Sequence, residues 1–429
     1  MKRLWVFSGV LGLAFLLAGL AYGVIPLEIP FLAPRAVEAA PAIPEATAPE
    51  SLPEAEPIAC SALTSNGETA FRSTLLATKD SYVTDRAGDT NYGTATNLKV
   101  GLSSLLGTYT YRTFAAFNLS SLPADAVILT ATLELYRTSA GDFNIAAQAL
   151  TQEWNETTVT WNAQPTATTV NEATGAAAGD WYRWDVTQIV KNWYNGAWTN
   201  YGLRLIPSGM GAAPYSPHSF DSREATNPPR LVITYVRRTE LTVQADAHIS
   251  HSYPNNNYGS SQNMSVRDDH TGTGAHALLK FDLSGIPAGS TVISASLGLE
   301  AVINRAQAGT VMETFSIAPE AVLAAWQESG VTWNNAPATA GQGDPAQPWK
   351  EWPWNWFDVT HIARAWSSGA VSNYGVMLKP ASGSPGSALM YTREGSGPAH
   401  LIITYGPPPC YPATDVTING ATAGLIGTA

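Results

Sequence analysis

Three sets of residues in this chain have the types and spacing to do chemistry. Carboxylates recur in register: Glu156 with Glu328, Asp185 with Asp358, and Glu224 with Glu394. Two such groups about 5–10 Å apart in a cleft could cleave a glycosidic bond. His248 and His251 form H-x-x-H with His276 downstream, a donor set zinc accepts. Asp80 and Asp246 each open a segment ending in Asn-Tyr-Gly. Carboxylate and loop carbonyls there would suit a structural calcium ion near Asp80 and Asp246. An Asx-turn followed by a glycine at positive φ accounts for the same residues without an ion.

The aromatics carry the sharpest signal. In "PWKEWPWNWFDVT", Trp352, Trp354 and Trp356 alternate, with Trp349 just upstream. An extended backbone puts the alternating three on one face. Indole faces stack on the C–H faces of sugar rings, and the indole N–H can donate a hydrogen bond. These residues are therefore candidates for a polysaccharide platform. The alternative is that they pack in a core or between domains. Pro353 argues for an edge or loop, and so for exposure. The corresponding stretch "GDWYRWDVT" aligns Trp181 with Trp354 and Arg183 with Trp356; both join the candidate set.

The other sets have simpler explanations. His248 occupies the slot of Tyr82, and His251 that of Asp85, so a zinc site would require two related segments to differ wholly in role. Asp185 and Asp358 precede helical patterns and read as caps. Glu224 and Glu394 follow Arg223 and Arg393, which suggests structural ion pairs or strand-edge contacts. G-x-S-x-G, P-loop and dinucleotide fingerprints are missing from the sequence. Tyr, His, Arg and Asn occur, but in no constellation a lyase would need. No catalytic residue is assigned, and the chain reads as no enzyme.

These residues sit in a duplicated framework. "DSYVTDRAGDTNYG" (Asp80 to Gly93) matches "DAHISHSYPNNNYG" (Asp246 to Gly259). "FNLSSLP" matches "FDLSGIP", and "EWNETTVTWNAQP" (Glu153 to Pro165) matches "AWQESGVTWNNAP" (Ala325 to Pro337). "WDVTQIVKNWYNG" matches "FDVTHIARAWSSG", and "SREATNPPRLVITY" matches "TREGSGPAHLIITY". The order holds throughout, so the chain carries two tandem domains, 72–236 and 240–406. Alternation through Val127, Leu129, Ala131, Leu133 and Leu135, and through Ile293, Ala295, Leu297, Leu299 and Ala301, predicts strands with one buried face. Val186, Ile189, Val190 and Trp193 fall at helical spacing, with Gly196 as the stop; Val359, Ile362, Ala363, Trp366 and Gly369 repeat it. The fold class expected is all-β: two tandem antiparallel β-sandwich, jelly-roll-like domains, each with one short helix. In W-x-E-x-x-V-T-W-N-x-x-P, recurrence in both copies favours architecture over a ligand site. The motif's glutamate is expected to bond loop amides.

Outside the repeats, composition sets the context. The 429 residues carry a net charge of −11, which argues against nucleic acid as a partner because little would neutralise phosphates. Lys2, Arg3 and the apolar run from Leu4 to Leu20 form an export signal over 1–23, cleaved or retained as a membrane anchor. A Pro/Glu/Ala-rich segment over 24–59 reads as a disordered spacer. Cys60 and Cys410 bracket the repeats; they are a disulfide candidate or two unrelated thiols. Residues 411–429 read as a stub, like the first strand of an immunoglobulin-like module.

The ordered blocks resemble the DNRLRE domain, grouped with the family 96 carbohydrate-binding modules. The matching elements are D-x-(Y/H)-(V/I)…N-Y-G, F-(N/D)-L-S…P, the tryptophan motif, D-V-T and (S/T)-R-E…L-(V/I)-I-T-Y. The resemblance spans roughly 74–236 and 240–406. It implies an extracellular β-sandwich that binds acidic or neutral polysaccharide without chemistry, often beside polysaccharide lyases or surface repeats. The first copy departs from the pattern: Ala116 stands where the second has Lys280, and Asn118 follows Phe117 where the family has Asp. The expected function is a secreted polysaccharide-binding protein that requires no cofactor beyond the candidate calcium. A surface spacer or adhesive protein is the alternative, and a lyase or hydrolase comes third.

Overall fold

The computed structural model describes residues 70–408 except 105–106, 142–143, 169–172, 175, 179, 209–214, 269–273, 303–314, 341–343, 351–352 and 383–384, together with 416–418 and 421–423. The signal segment, the spacer, Cys60, Cys410 and Trp352 lie outside the described residues. In the stub, Val416–Ile418 pairs antiparallel with Ala421–Ala423.

Each repeat is a sandwich of two antiparallel sheets. In the first, the strands are β1 (Phe71–Thr84), β2 (Asn97–Ser103), β3 (Tyr109–Phe117), β4 (Ala126–Ser139), β5 (Asn144–Ala149), β6 (Trp181–Asp185), β7 (Leu203–Ser208) and β8 (His218–Asp221). Helix α1 (Thr187–Tyr194) follows β6. Strand β9 (Arg230–Ser250) closes this module and opens the next. The second module continues with β10 (Asn263–Asp268), β11 (Ala275–Phe281), β12 (Thr291–Glu300), β13 (Ser316–Ala321), β14 (Trp354–Asp358), α2 (Thr360–Ser367), β15 (Val376–Pro380), β16 (Gly386–Tyr391) and β17 (His400–Gly406).

One sheet of the first module runs from the short strand Ala176–Ala178 through β6, β4 and β9 and ends on the first half of β1. At Ala77/Lys79 the register of β1 shifts, and its second half joins β3 in the opposing sheet. A bulge of this kind lets one strand turn the corner of a sandwich. β9 repeats the device at Val243/Ala245 before pairing with β11. Between its two jobs β9 is unbroken. Residues 230–237 pair with β4, and 237–242 pair with β17, which continues through β12 to β14. Residues 237–239, which the repeat alignment leaves between the domains, are therefore mid-strand. One face of this sheet runs across both modules.

The cores lie between the sheets. In the first, Leu133, Leu135, Trp184, Leu231 and Ile233 meet Ile145, Leu203 and Leu205 of the opposing sheet. Trp184 Nε1–H donates to the Ile145 carbonyl at 2.9 Å, joining the two sheets. The expected alternation holds only in part. Leu133 and Leu135 point inward as predicted, but Ile128 is buried and Val127 exposed. A register shift opposite Thr234/Tyr235 leaves Leu129 as the extra residue and reverses the phase below it. The second copy does the same at Val292/Ser294, burying Val292 rather than aligning Ile293 with the core. Both helices fall where predicted. Asp185 Oδ1 accepts from the Thr187 N–H at 3.0 Å, Asp358 does so from Thr360, and Gly196 and Gly369 take φ of 72° and 75° at the stops.

The repeated tryptophan motif builds a second small core outside each sandwich. Trp154 and Val159 pack on Val83, Phe114 and Leu150, with Trp161 partly buried against them. Val331 packs similarly on Ile249 and Leu278, with Trp326 and Trp333. The segment is a chain of turns and bends. Glu156 Oε1 accepts the Asp80 amide N–H at 2.7 Å, and Asn91 Nδ2 donates to the carbonyls of Glu156 and Val159. Asn91 also forms the predicted Asx-turn, accepting from Gly93 N–H at 3.1 Å. Gly93 is there for space rather than for positive φ: a Cβ would lie 2.1 Å from the Glu156 carbonyl oxygen.

Two outcomes are expected. Because β9 belongs to both cores, heating should unfold the modules in one calorimetric transition whose van't Hoff and calorimetric enthalpies agree; two resolved transitions would contradict this. Gly93→Ala should cost about 3 kcal/mol by chemical denaturation, since the clash is with backbone.

Candidate functional site

Strand β14 presents the aromatic face. Within Trp354–Asp358, alternate residues Asn355 and Phe357 are buried, while Trp354 and Trp356 are 36% and 48% exposed. Asn355 bonds both the N–H and the carbonyl of Lys350 at 2.8 Å, which fixes the loop entering the strand. The Trp354 and Trp356 rings stack with centroids 5.9 Å apart and planes 23° from parallel. Trp356 lies opposite Gly298 of β12, where a Cβ would come 2.6 Å from its ring. His400 of β17 packs on Trp354 at 5.4 Å, and its Nδ1 lies 2.9 Å from Glu240 Oε1 of β9. Next to Trp356 is a shallow groove of about 430 Å³. Ser294, Ser296, Ile402 and Thr404 line it from the second module, Val127 from the first, and Arg238 from the shared strand β9. Val127 reaches it because of the phase reversal at Leu129.

The same positions in the first module carry charge. Arg183, Glu134 and Arg230 replace Trp356, Gly298 and His400. Glu134 is buried and receives Arg183 Nε and Arg230 Nε, each at 2.6 Å. Burial pushes the Glu134 carboxyl up, but the two guanidinium hydrogen bonds outweigh it and hold it below the usual range. The Arg230 guanidinium covers the Trp181 ring at 3.7 Å, and Tyr136 meets its edge. Trp181 thus shares the outer face, with one ring surface occupied.

Trp349 does not belong to this face. It is 2% exposed and stacks near Phe357 at 6.4 Å within the core. The cause lies in the core composition. In the first module Tyr182, Trp184, His218 and Phe220 form one aromatic box. Asn355, Phe357, Ala388 and Met390 stand at the matching positions in the second. Trp349 joins Phe357, Ala388 and Met390 there, supplying the missing volume.

The histidines considered for zinc, His248, His251 and His276, pack on aromatic rings. His248 stacks on Tyr258 at 4.3 Å, just as Tyr82 stacks on Tyr92 at 4.3 Å. His276 packs on Trp333 at 4.9 Å, and burial pushes it down to about 4.

The carboxylates gather elsewhere, beside the tryptophan motif. Asp80 and Asp246, both buried, accept the Arg223 and Arg393 amide N–H at 2.8 Å. Arg223 Nε lies 3.0 Å from Glu156 and 2.9 Å from Glu224. Arg393 pairs likewise with Glu328 and Glu394. The recurring Arg-Glu dipeptide is the structural ion pair its sequence suggested. Burial, with Glu224 and Glu156 nearby, pushes Asp80 up to about 7 despite the Arg223 amide; the same causes push Asp246 up to about 6. Of these residues the sequence singled out Asp80 and Asp246 for calcium. Their convergence with Glu156, Glu224, Glu328 and Glu394 came only from the fold.

Comparison with known proteins adds the following. The profile of carbohydrate-binding module family 96 matches residues 72–235 and 237–405. The tRNA nuclease WapA of Bacillus subtilis (strain 168) is 35% identical over 77 residues, 18% of this chain. The tRNA3(Ser)-specific nuclease WapA of Bacillus spizizenii shows the same identity over the same length. The match covers 3% of the length of these curated relatives. Among solved structures, the N-terminal domain of the Streptococcus gordonii adhesin Sgo0707 aligns over 69% of this chain and 52% of that one, at 9% identity and a TM-score of 0.13.

The raised Asp80 carboxyl has a consequence for stability. Between its ordinary value of 3.8 and about 7, the folded chain holds a proton that the unfolded chain has lost. This residue's contribution therefore falls as pH rises through that window. Denaturation of the protein and of Asp80→Asn should show it: the stability gained by the variant relative to the original should grow from pH 4 to pH 7. A difference that stays flat would remove the buried-acid assignment.

Proposed function

The chain belongs to carbohydrate-binding module family 96, and on that premise we propose that it is a secreted, non-catalytic polysaccharide-binding protein. The observation that carries the reading is the stacked, exposed Trp354–Trp356 pair opening onto a groove on the face shared by both modules. Adjacent indole faces offer a surface for successive sugar rings, and the serine and threonine hydroxyls lining the groove suit sugar hydroxyls. Trp352, two residues before Trp354, stays in the proposed set on sequence grounds. Trp181 and Arg183 form a second, more polar patch whose ring face is partly covered by Arg230. Export rests on the N-terminal segment. The carboxylates considered for hydrolysis are engaged by the first helical amides, Thr187 and Thr360, and in ion pairs with Arg223 and Arg393.

A second reading, a surface spacer or adhesive protein, draws support from strand β9. Its unbroken ladder couples the modules without a linker, as a load-transmitting element would. The two readings make different predictions. On a broad panel of soluble and insoluble glycans, the first expects retention above an inert control protein. Trp356→Ala should then weaken binding roughly tenfold, and Trp354→Ala similarly, while Trp181→Ala stays within about twofold. Trp349→Ala should instead cost about 3–5 kcal/mol of stability. Retention equal to the control on every glycan would discard the binding role and leave the spacer.

A further inference from the structure

The two carboxylate clusters share a framework but are not equivalent. In the first module each Glu224 oxygen has a donor: Arg223 Nε on Oε1 and Ser222 Oγ on Oε2, both at 2.9 Å. In the second module the matching hydroxyl, Thr392 Oγ1, donates instead to the Ser261 carbonyl at 2.6 Å. Glu394 Oε2 is then buried with no hydrogen-bond partner. Asp246, 1% exposed, has its Oδ2 held by the Arg393 N–H, and its Oδ1 is likewise buried and unpartnered. One carboxylate oxygen from each of Asp246, Glu328 and Glu394 lies within 4.8 Å of the others. Among the described residues this is the one such cluster of three.

Two orphan carboxylate oxygens buried in one cluster carry a cost that solvent does not relieve. Arg393 does not relieve it, because its guanidinium is engaged by Glu328 and by Glu394 Oε1. A cation would. We infer that Asp246, Glu328 and Glu394 form a binding site for a hard divalent cation, calcium, in the second module and not in the first. Oxygens bound to one calcium ion at about 2.3–2.6 Å can stand up to about 5 Å apart, so the cluster is already near coordinating size. All donors are carboxylate oxygens, which suit hard cations better than softer metals. Asp246 lies where β9 enters the opposing sheet and Glu328 lies in the tryptophan motif. An ion there would tie the shared strand to that outer core.

The test uses the full chain, stripped with EDTA and titrated with CaCl2 by calorimetry, with thermal unfolding followed in parallel. One ion should bind per chain at millimolar CaCl2 or below, and the melting temperature should rise. Glu394→Gln should lose at least tenfold in calcium affinity and most of the thermal shift, whereas the first-module counterpart Glu224→Gln should lose neither. Asp246→Asn, which keeps an acceptor for the Arg393 amide, should reproduce the loss and serves if Glu394→Gln does not fold. Neither heat nor a thermal shift up to about 10-fold above millimolar CaCl2 would overturn the site. Two ions per chain, or equal loss in Glu224→Gln, would overturn its restriction to the second module.

Discussion

The ladder along Arg230–Ser250 is the constraint on which the rest of the molecule depends. This one strand pairs with β4, β1, β17 and β11, so it finishes one sandwich and starts the next without leaving extended conformation. Period-two geometry then sets which side chains face where. Leu231 and Ile233 enter the first core, while Leu241 and Val243 meet the second. The intervening Arg238 and Glu240 fall on the opposite face. The modules therefore turn the same sheet face outward, which is how Val127 and Trp356 come to border one groove.

Within that frame the two outer faces have diverged through linked substitutions. Trp356 can lie flat on the sheet because Gly298 has no side chain beneath it. At the matching place in the first module, Glu134 needs a cation to be buried, and Arg183 and Arg230 supply two. Neither set works piecemeal. A glutamate under Trp356 would be buried without its cations, and a tryptophan in place of Arg183 would meet the Glu134 carboxylate. The difference between an aromatic face and a charged one is thus held by at least three positions on three strands.

Much of this was legible in the sequence because duplication supplies an internal control. Recurrence of Glu156 and Glu328 in otherwise divergent segments pointed to architecture, and both proved to hold a strand amide. The helices were readable from spacing and their glycine stops. What escaped depended on long-range volume or on register. Trp349 looks like a member of the tryptophan row, yet it fills space left by Phe357 and Met390 standing where the first module has Trp184 and Phe220. Those residues are far apart in the chain, and no local pattern connects them. The phase reversal at Leu129 was equally hidden, since five alternating apolar residues read as one uninterrupted face. Glycine at 93 was expected for its backbone freedom; the contact that demands it comes from Glu156, a distant residue.

The acidic clusters bring the same logic to its sharpest point. Asp80 and Asp246 are buried in both modules because β1 and β9 turn inward there, and each accepts the N–H of the following Arg-Glu segment. That arrangement is tolerable for a lone carboxylate only if charge is offset or a proton retained. The first module offsets part of it with a serine hydroxyl that reaches the neighbouring glutamate. The second has turned its threonine away, leaving two oxygens without donors in a cluster of three carboxylates and one arginine. It is also the module in which the outer face is aromatic and open. The outer sheet face and the acidic cluster are thus two of the places where the copies differ, beside the exchange of aromatic volume in the core. The shared strand runs between them, with Glu240 beside His400 at the first and Asp246 within the second.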